Sequence, residues 1–216
     1  MKAAVLTLLL VAATPSDEIT FTAASVNVAE PGTPVKIRIL RWSTEDEVRP
    51  VVTALAAPPA QPSEVARANA AAAGRGRAGR GRGRGGPAPA PLSPIAAFTA
   101  ALGRAPTVGY IWTNEITGYS IKYAWHAPLP DGTDRIVLAS DRRLGAYTNG
   151  WKPATPAPET DYAFTLIELR VGPNGSFEGK ASLTDKIAVD VEAKTVALEN
   201  YQSAAAYLTR PAHTKK

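Results

Sequence analysis

The sequence predicts an α+β fold dominated by antiparallel β-sheet: a sandwich or barrel-like arrangement of about nine strands, with two short helices. Three observations carry this. Beyond residue 107, short runs in which apolar and polar residues tend to alternate recur, separated by turns rich in Gly, Pro, Asn and Asp; strands at roughly 8–12-residue spacing are the pattern of sandwiches and barrels. Only two stretches place apolar residues at helical spacing. Between those two stretches lies a low-complexity segment with almost no apolar surface to offset the entropy of ordering it.

Taken in order, residues 19–28 alternate as Ile19, Phe21 and Ala23, then slip phase to Val26 and Val28. Glu30-Pro31-Gly32-Thr33 reads as a turn, and Val35, Ile37 and Ile39 alternate with Lys36, Arg38 and Leu40 to complete a strand pair. Ser43, followed by Glu45, Asp46 and Glu47, reads as a helix N-cap with acids in the first turn, where the helix dipole favours them. Val48, Val51, Val52 and Leu55 form the apolar stripe, with Pro50 as a discordant residue inside it. Ser93-Pro94 starts the second helix, whose stripe is Ile95, Phe98 and Leu102 and whose end is expected at Gly103. Strands are then expected over 108–113, 119–127, 135–141, 162–171, 176–183, 187–191, 195–201 and 205–209, the run 162–171 being the most apolar.

The domain organisation follows. Residues 1–13 have the form of a signal peptide: Met1-Lys2, an apolar run, and Val11-Ala12-Ala13 as a small-x-small cleavage pattern. Eleven helical residues span about 16 Å, too short for a hydrocarbon core of ~30 Å, and no other run suits a transmembrane span. Export to the periplasm or the extracellular space is expected. Residues 14–57 begin one β-rich domain, 58–92 form a disordered linker insertion, 93–210 complete the same domain, and 211–216 form a frayed basic tail.

Net charge is +5, yet it resides in one place. Of the 35 residues in 58–92, 29 are Ala, Gly, Pro or Arg; six are Arg and one is acidic. Elsewhere the 18 basic and 18 acidic side chains cancel, so basicity belongs to the insertion and not to the folded surface. Arg75, Arg77, Arg80, Arg82 and Arg84, spaced by glycine and alanine, are candidates for gripping a polyanion, because guanidinium forks contact phosphate or carboxylate bidentately. With no interleaved Phe or Tyr to stack bases, and with export expected, nucleic acid is disfavoured as the partner. A surface loop also tolerates such an insertion without any function, since loop-closure entropy grows slowly with length.

Chemistry is sparse. Cysteine is absent and His126 and His213 are the only histidines, which excludes disulfides, thiolate catalysis and a multi-histidine metal centre within one chain. No nucleotide loop or Gly-x-Ser-x-Gly elbow occurs. Asp185, Asp190 and Glu192, or Glu159 and Asp161, do not match a calcium loop. No cofactor, metal or catalytic residue is therefore assigned. Seven aromatics stand out: Tyr110, Trp112, Tyr119, Tyr123, Trp125, Tyr147 and Trp151. Tyr119, Tyr123 and Trp125 fall on one face of an alternating strand, a binding platform if wet and core if dry. Tyr147 and Trp151 lie in a Gly/Pro-rich loop and are the preferred ligand-binding candidates, completed by Tyr119, Tyr123 and Trp125.

The strings Arg41-Trp42-Ser43-Thr44, Val108-Gly109-Tyr110-Ile111, Leu129-Pro130-Asp131-Gly132, 135–142, 164–170 and Leu198-Glu199-Asn200-Tyr201 together resemble a family of uncharacterised secreted bacterial proteins. The resemblance implies export and a β-rich domain over about 33–210; it implies no activity and no catalytic residues. The expected function is an exported, non-enzymatic binding or interaction domain, with a polysaccharide, an apolar ligand or a protein as possible partner. The alternatives are an extracytoplasmic hydrolase using paired carboxylates that meet only in three dimensions, and polyanion attachment through the Arg-Gly tract.

Overall fold

The computed structural model describes residues 18–56, 92–154 and 158–210. The leader at 1–13, the tail at 211–216 and the Arg-Gly tract with Arg75, Arg77, Arg80, Arg82 and Arg84 lie outside the described residues. Ten strands and two helices are described: β1 (Ile19–Ser25), β2 (Pro34–Ile39), α1 (Glu45–Ala56), α2 (Pro94–Arg104), β3 (Gly109–Trp112), β4 (Tyr119–Pro128), β5 (Asp134–Ser140), β6 (Leu166–Val171), β7 (Phe177–Ala181), β8 (Ile187–Asp190), β9 (Thr195–Leu198) and β10 (Ala206–Arg210). Among the described residues no helix is long and apolar enough to cross a membrane.

Eight strands close into an antiparallel barrel in the order β1-β10-β7-β6-β5-β4-β3-β2, and β8 and β9 form a separate two-stranded sheet. The barrel is an up-and-down meander interrupted once, between β7 and β10. Two-residue periodicity sends one face of each strand inward. Phe21 lies opposite Ile37, Ile37 opposite Ile111, Leu138 opposite Ile167, and Leu169 opposite Gly179. Phe21, Ile37, Ile111, Leu138, Ile167 and Leu169 belong to one buried cluster. An eight-stranded barrel is about wide enough for side chains to fill, and here Ile37, Ile39, Ile111, Ile121, Leu138 and Ile167 are fully buried.

A second core lies outside the barrel. Tyr123, Val137, Ala139 and Leu166 project outward from β4, β5 and β6 and are covered by Val48 and Val51 of α1, Phe98 and Leu102 of α2, and Ile187, Val196 and Leu198 of the β8–β9 hairpin. This double covering explains why β5 and β6 read as apolar runs and not as alternating strands.

Three local expectations are corrected. Thr44, not Ser43, precedes the first turn of α1: its carbonyl accepts the Glu47 and Val48 N–H groups, and Glu47 Oε2 accepts the Thr44 N–H at 2.9 Å. That reach from N3 back to the N-cap is half of a capping box. Ser43 instead docks on β4, donating its N–H to the Ala124 carbonyl at 2.8 Å and accepting the Ala124 N–H at 3.0 Å. The second helix starts as expected, with Ser93 Oγ accepting the Ala96 N–H and Pro94 in the first turn, but runs to Arg104. The third correction is in β4. Its register against β5 shifts between Ile121 and Tyr123, so the strand bulges there. Tyr119 and Ile121 join the interior cluster, whereas Tyr123 and Trp125 join the outer one. Tyr119, Tyr123 and Trp125 do not share a face.

Candidate functional site

The wall formed by β1, β2 and β3 carries exposed outward residues, Thr20, Thr22 and Lys36 among them. From β3, Gly109 and Ile111 turn inward, so Tyr110 and Trp112 turn outward. Their ring centroids are 5.6 Å apart with planes tilted by 36°. Lys36 stands opposite Trp112 in register, its ammonium 6.0 Å from the indole ring, and Arg38 stands opposite Tyr110. Glu18 holds both arms of the Arg38 fork, at 2.5 and 2.7 Å. Lys122, the extra residue of the bulge, donates to Thr107 Oγ1 at 3.1 Å.

The surface continues into the loop after β5. Arg142 donates to the carbonyls of Thr117 at 3.1 Å and Gly118 at 2.7 Å. Its guanidinium carbon lies 4.4 Å from the Tyr119 ring centroid and 5.5 Å from that of Tyr147. Gly118 in turn supports Trp112: a Cβ added there would lie 2.9 Å from the indole Nε1, inside contact distance. Trp112, Gly118, Arg142 and Tyr147 are thus linked contact by contact, and Tyr147 is 74% exposed. Tyr110, Trp112 and Tyr147, with Lys36 and Arg142 beside them, form an aromatic and cationic ledge.

The other aromatics hold this ledge up. Trp151 is buried at 3% exposure, in the barrel core, and is not a loop side chain facing solvent. A Cβ at Gly145, whose φ is +79°, would sit 2.6 Å from Trp151 Cβ, so both conformation and space demand glycine there. The Gly145 N–H donates to the Tyr119 hydroxyl at 2.9 Å, and burial holds that phenol well above its ordinary pKa. Tyr119 and Trp151 therefore fix the loop that displays Tyr147. Tyr123 is buried too; its hydroxyl bonds Thr195 Oγ1, and burial pushes its pKa up to about 12. Trp125 is half-buried, with the Arg135 guanidinium carbon 5.9 Å from its ring centroid. Tyr110 and Trp112, in the aromatic set but outside the favoured five, are betrayed by their spacing: they alternate with Gly109 and Ile111 and must share the outward face.

Charged groups converge elsewhere, on the outer wall of β5, β6 and β7. Glu168 is fully buried; its Oε1 lies 2.9 Å from Arg135 Nε and 2.8 Å from Arg170 Nη2. Arg135 Nη1 donates to Asp190 Oδ2 at 2.6 Å. The Ala193 N–H and Arg135 together hold the Asp190 carboxyl below the usual range. His126 is exposed and packs its ring 4.2 Å from that of Trp42. Among the described residues no cluster of three or more His, Asp or Glu side chains suits a metal ion. In comparisons with known proteins, no family model, no curated protein and no solved structure matches the chain.

Proposed function

We propose that the protein is an exported, non-enzymatic binding domain that holds a polysaccharide along the ledge of Tyr110, Trp112 and Tyr147. The observation that carries this reading is the outward pair Tyr110 and Trp112, ring to ring at 5.6 Å on a convex wall. Aromatic faces accept the apolar C–H face of a pyranose, while their polar edges stay wet. Lys36 and Arg142 beside the rings supply donors for hydroxyl or carboxylate groups. An apolar ligand is less well served, because the barrel interior is filled with side chains and the ledge is open. The leader pattern at 1–13 and the resemblance to secreted bacterial proteins support export. A hydrolase is less well served too: Glu168 and Asp190, the carboxylates that converge, are both tied to Arg135, and Asp190 is held ionised, which does not suit a proton donor.

The test is affinity electrophoresis of the full chain in gels containing dextran, xylan or alginate. At least one glycan should retard the protein, and Tyr110→Ala, Trp112→Ala and Tyr147→Ala should each weaken the retardation about fivefold or more. No retardation by any glycan, retardation unchanged in all three variants, or preferential binding of a single-stranded oligonucleotide would each overturn the reading. Export is checked by mass spectrometry of the protein from its producing cells. The mature chain should start near Thr14, and an intact Met1 would sink that part.

A further inference from the structure

The barrel interior is filled with side chains, and room for an apolar ligand lies outside it, between the two helices. Val48 and Val51 of α1 and Phe98 and Leu102 of α2 are spent on the outer core. Positions 46, 47, 50, 51 and 54 share one face of α1, and positions 97, 100, 101 and 104 share one face of α2. These two faces wall a groove of about 520 Å³, within the usual range for small-ligand pockets, about 300–1,000 Å³. Pro50, Val51, Ala54, Ala97, Ala100 and Ala101 make it apolar, and Leu92, which also lines it, is 57% exposed. Apolar surface left open in a concave place is what a ligand-binding groove presents.

Three charged side chains line the groove, and they are not equivalent. Asp46 is ion-paired to Arg49. Both carboxylate oxygens of Glu47 are held by the Arg41 fork at 2.8 Å, and Oε2 also accepts the Thr44 N–H. Arg104 is exposed and has no hydrogen bond or ion pair among the described residues. Nor does it close the end of its helix, since the Ala105 N–H bonds the Ala101 and Leu102 carbonyls. The groove thus offers one unspent charge, and that charge is open to solvent.

These features select a class of ligand. A sugar or a nucleotide would lay many polar groups against Pro, Val and Ala side chains that cannot meet them. A cationic amphiphile would meet Arg104 as a like charge, and a wholly apolar molecule would leave it unused. A methylene chain ending in a carboxylate suits both parts, because a guanidinium fork takes a carboxylate bidentately. We propose that the groove between α1 and α2 binds a free fatty acid, its alkyl chain along Val51, Ala97, Ala100 and Ala101 and its carboxylate on Arg104. The site shares no residue with the ledge.

The test is a calorimetric titration of the full-length protein with octanoate, decanoate and dodecanoate as monomers. Decanol and decyltrimethylammonium serve as head-group controls, and the methyl resonances of Leu92 and Ala101 are followed by NMR. Affinity should rise about tenfold for each two methylenes added, with saturable shifts of both methyl signals. Decanoate should bind about tenfold more tightly than decanol. Arg104→Gln, a change at an exposed position that should leave the melting temperature within about 2 °C, should bring decanoate down to the decanol level. Ala100→Phe, which fills the groove, should abolish the binding of both. No saturable binding of any acid, equal affinity for decanoate and decanol, tighter binding of the cation, or decanoate affinity unchanged in either variant would each overturn the proposal. So would binding seen only with anionic phospholipid vesicles, which would make this a membrane-facing surface. Binding seen only after deletion of 62–73 would do the same, by making the chain's own segment the occupant.

Discussion

Glu168 illustrates how a single residue ties an outer element to the barrel. Its carboxylate is fully buried on the outward face of β6, between Arg135 and Arg170. Two charges withdrawn from water are stabilised only while both partners are present, so removing one costs about 3–5 kcal/mol. Glu168→Ala should lower the unfolding free energy by about that amount in urea titrations, and pairing it with Arg170→Ala in a double-mutant cycle should show strong coupling. The signal was present in the sequence: Glu168 interrupts the apolar run Leu166-Ile167-Glu168-Leu169. Its partner Arg135 was not legible, because it lies 33 residues before Glu168, and Asp190, which also bonds Arg135, lies 22 residues after it; only the strand register and the hairpin bring the three together. Tyr119 and Trp151 show the converse. Their residue types suit ligand contact, but burial gives them the task of holding the loop that carries Tyr147.

At the scale of elements, the start of α1 sets a pH dependence. The Arg41 fork, bound bidentately at 2.8 Å on both arms, and the Thr44 N–H hold the Glu47 carboxyl down to about 2. A folded pKa below the unfolded one stabilises above the unfolded value and is lost as pH falls through the folded value. Glu47→Ala should therefore cost about 1 kcal/mol at neutral pH. The gap between variant and native melting temperatures should close as pH falls from the ordinary carboxylate value of 4.5 toward about 2. The spacing Thr44-x-x-Glu47 was readable, and Ser43 was favoured over Thr44 because its actual partner, Ala124, is 81 residues away. Strand positions were legible from turns and alternation, and both helices from their stripes. The bulge at Lys122 was not: Tyr119, Ile121, Tyr123 and Trp125 alternate without a break, and only pairing with β5 reveals the extra residue. Gly118 links this element to the ledge. Gly118→Ala should push Trp112 aside, leaving far-UV circular dichroism unchanged while weakening glycan retardation.

For the whole molecule, the described pairings close the barrel without help from the insertion, and the charge outside 58–92 sums to zero. Deleting 74–86 removes five arginines. It should leave the melting temperature within about 2 °C, since shortening a long loop changes closure entropy little. It should also strip most retention on heparin at low salt, because the charges outside 58–92 sum to zero. Sandwich and barrel could not be told apart from strand count alone; the difference rests on whether the first and last strands meet. They do, and narrowly: β1 and β10 are matched at Ala24 with Thr209 and Ser25 with Leu208, against six matched pairs between β1 and β2. The seam joins positions 183 and 185 residues apart, the widest sequence separation among the pairings on the ring, a separation that makes closure slow. Until the C-terminal strand arrives, β1 and β7 keep bare edges able to pair with other chains. Under the proposed export, a chain threaded across a membrane unfolded would keep its ring unlocked while the last strand had yet to cross, and would close only on the far side.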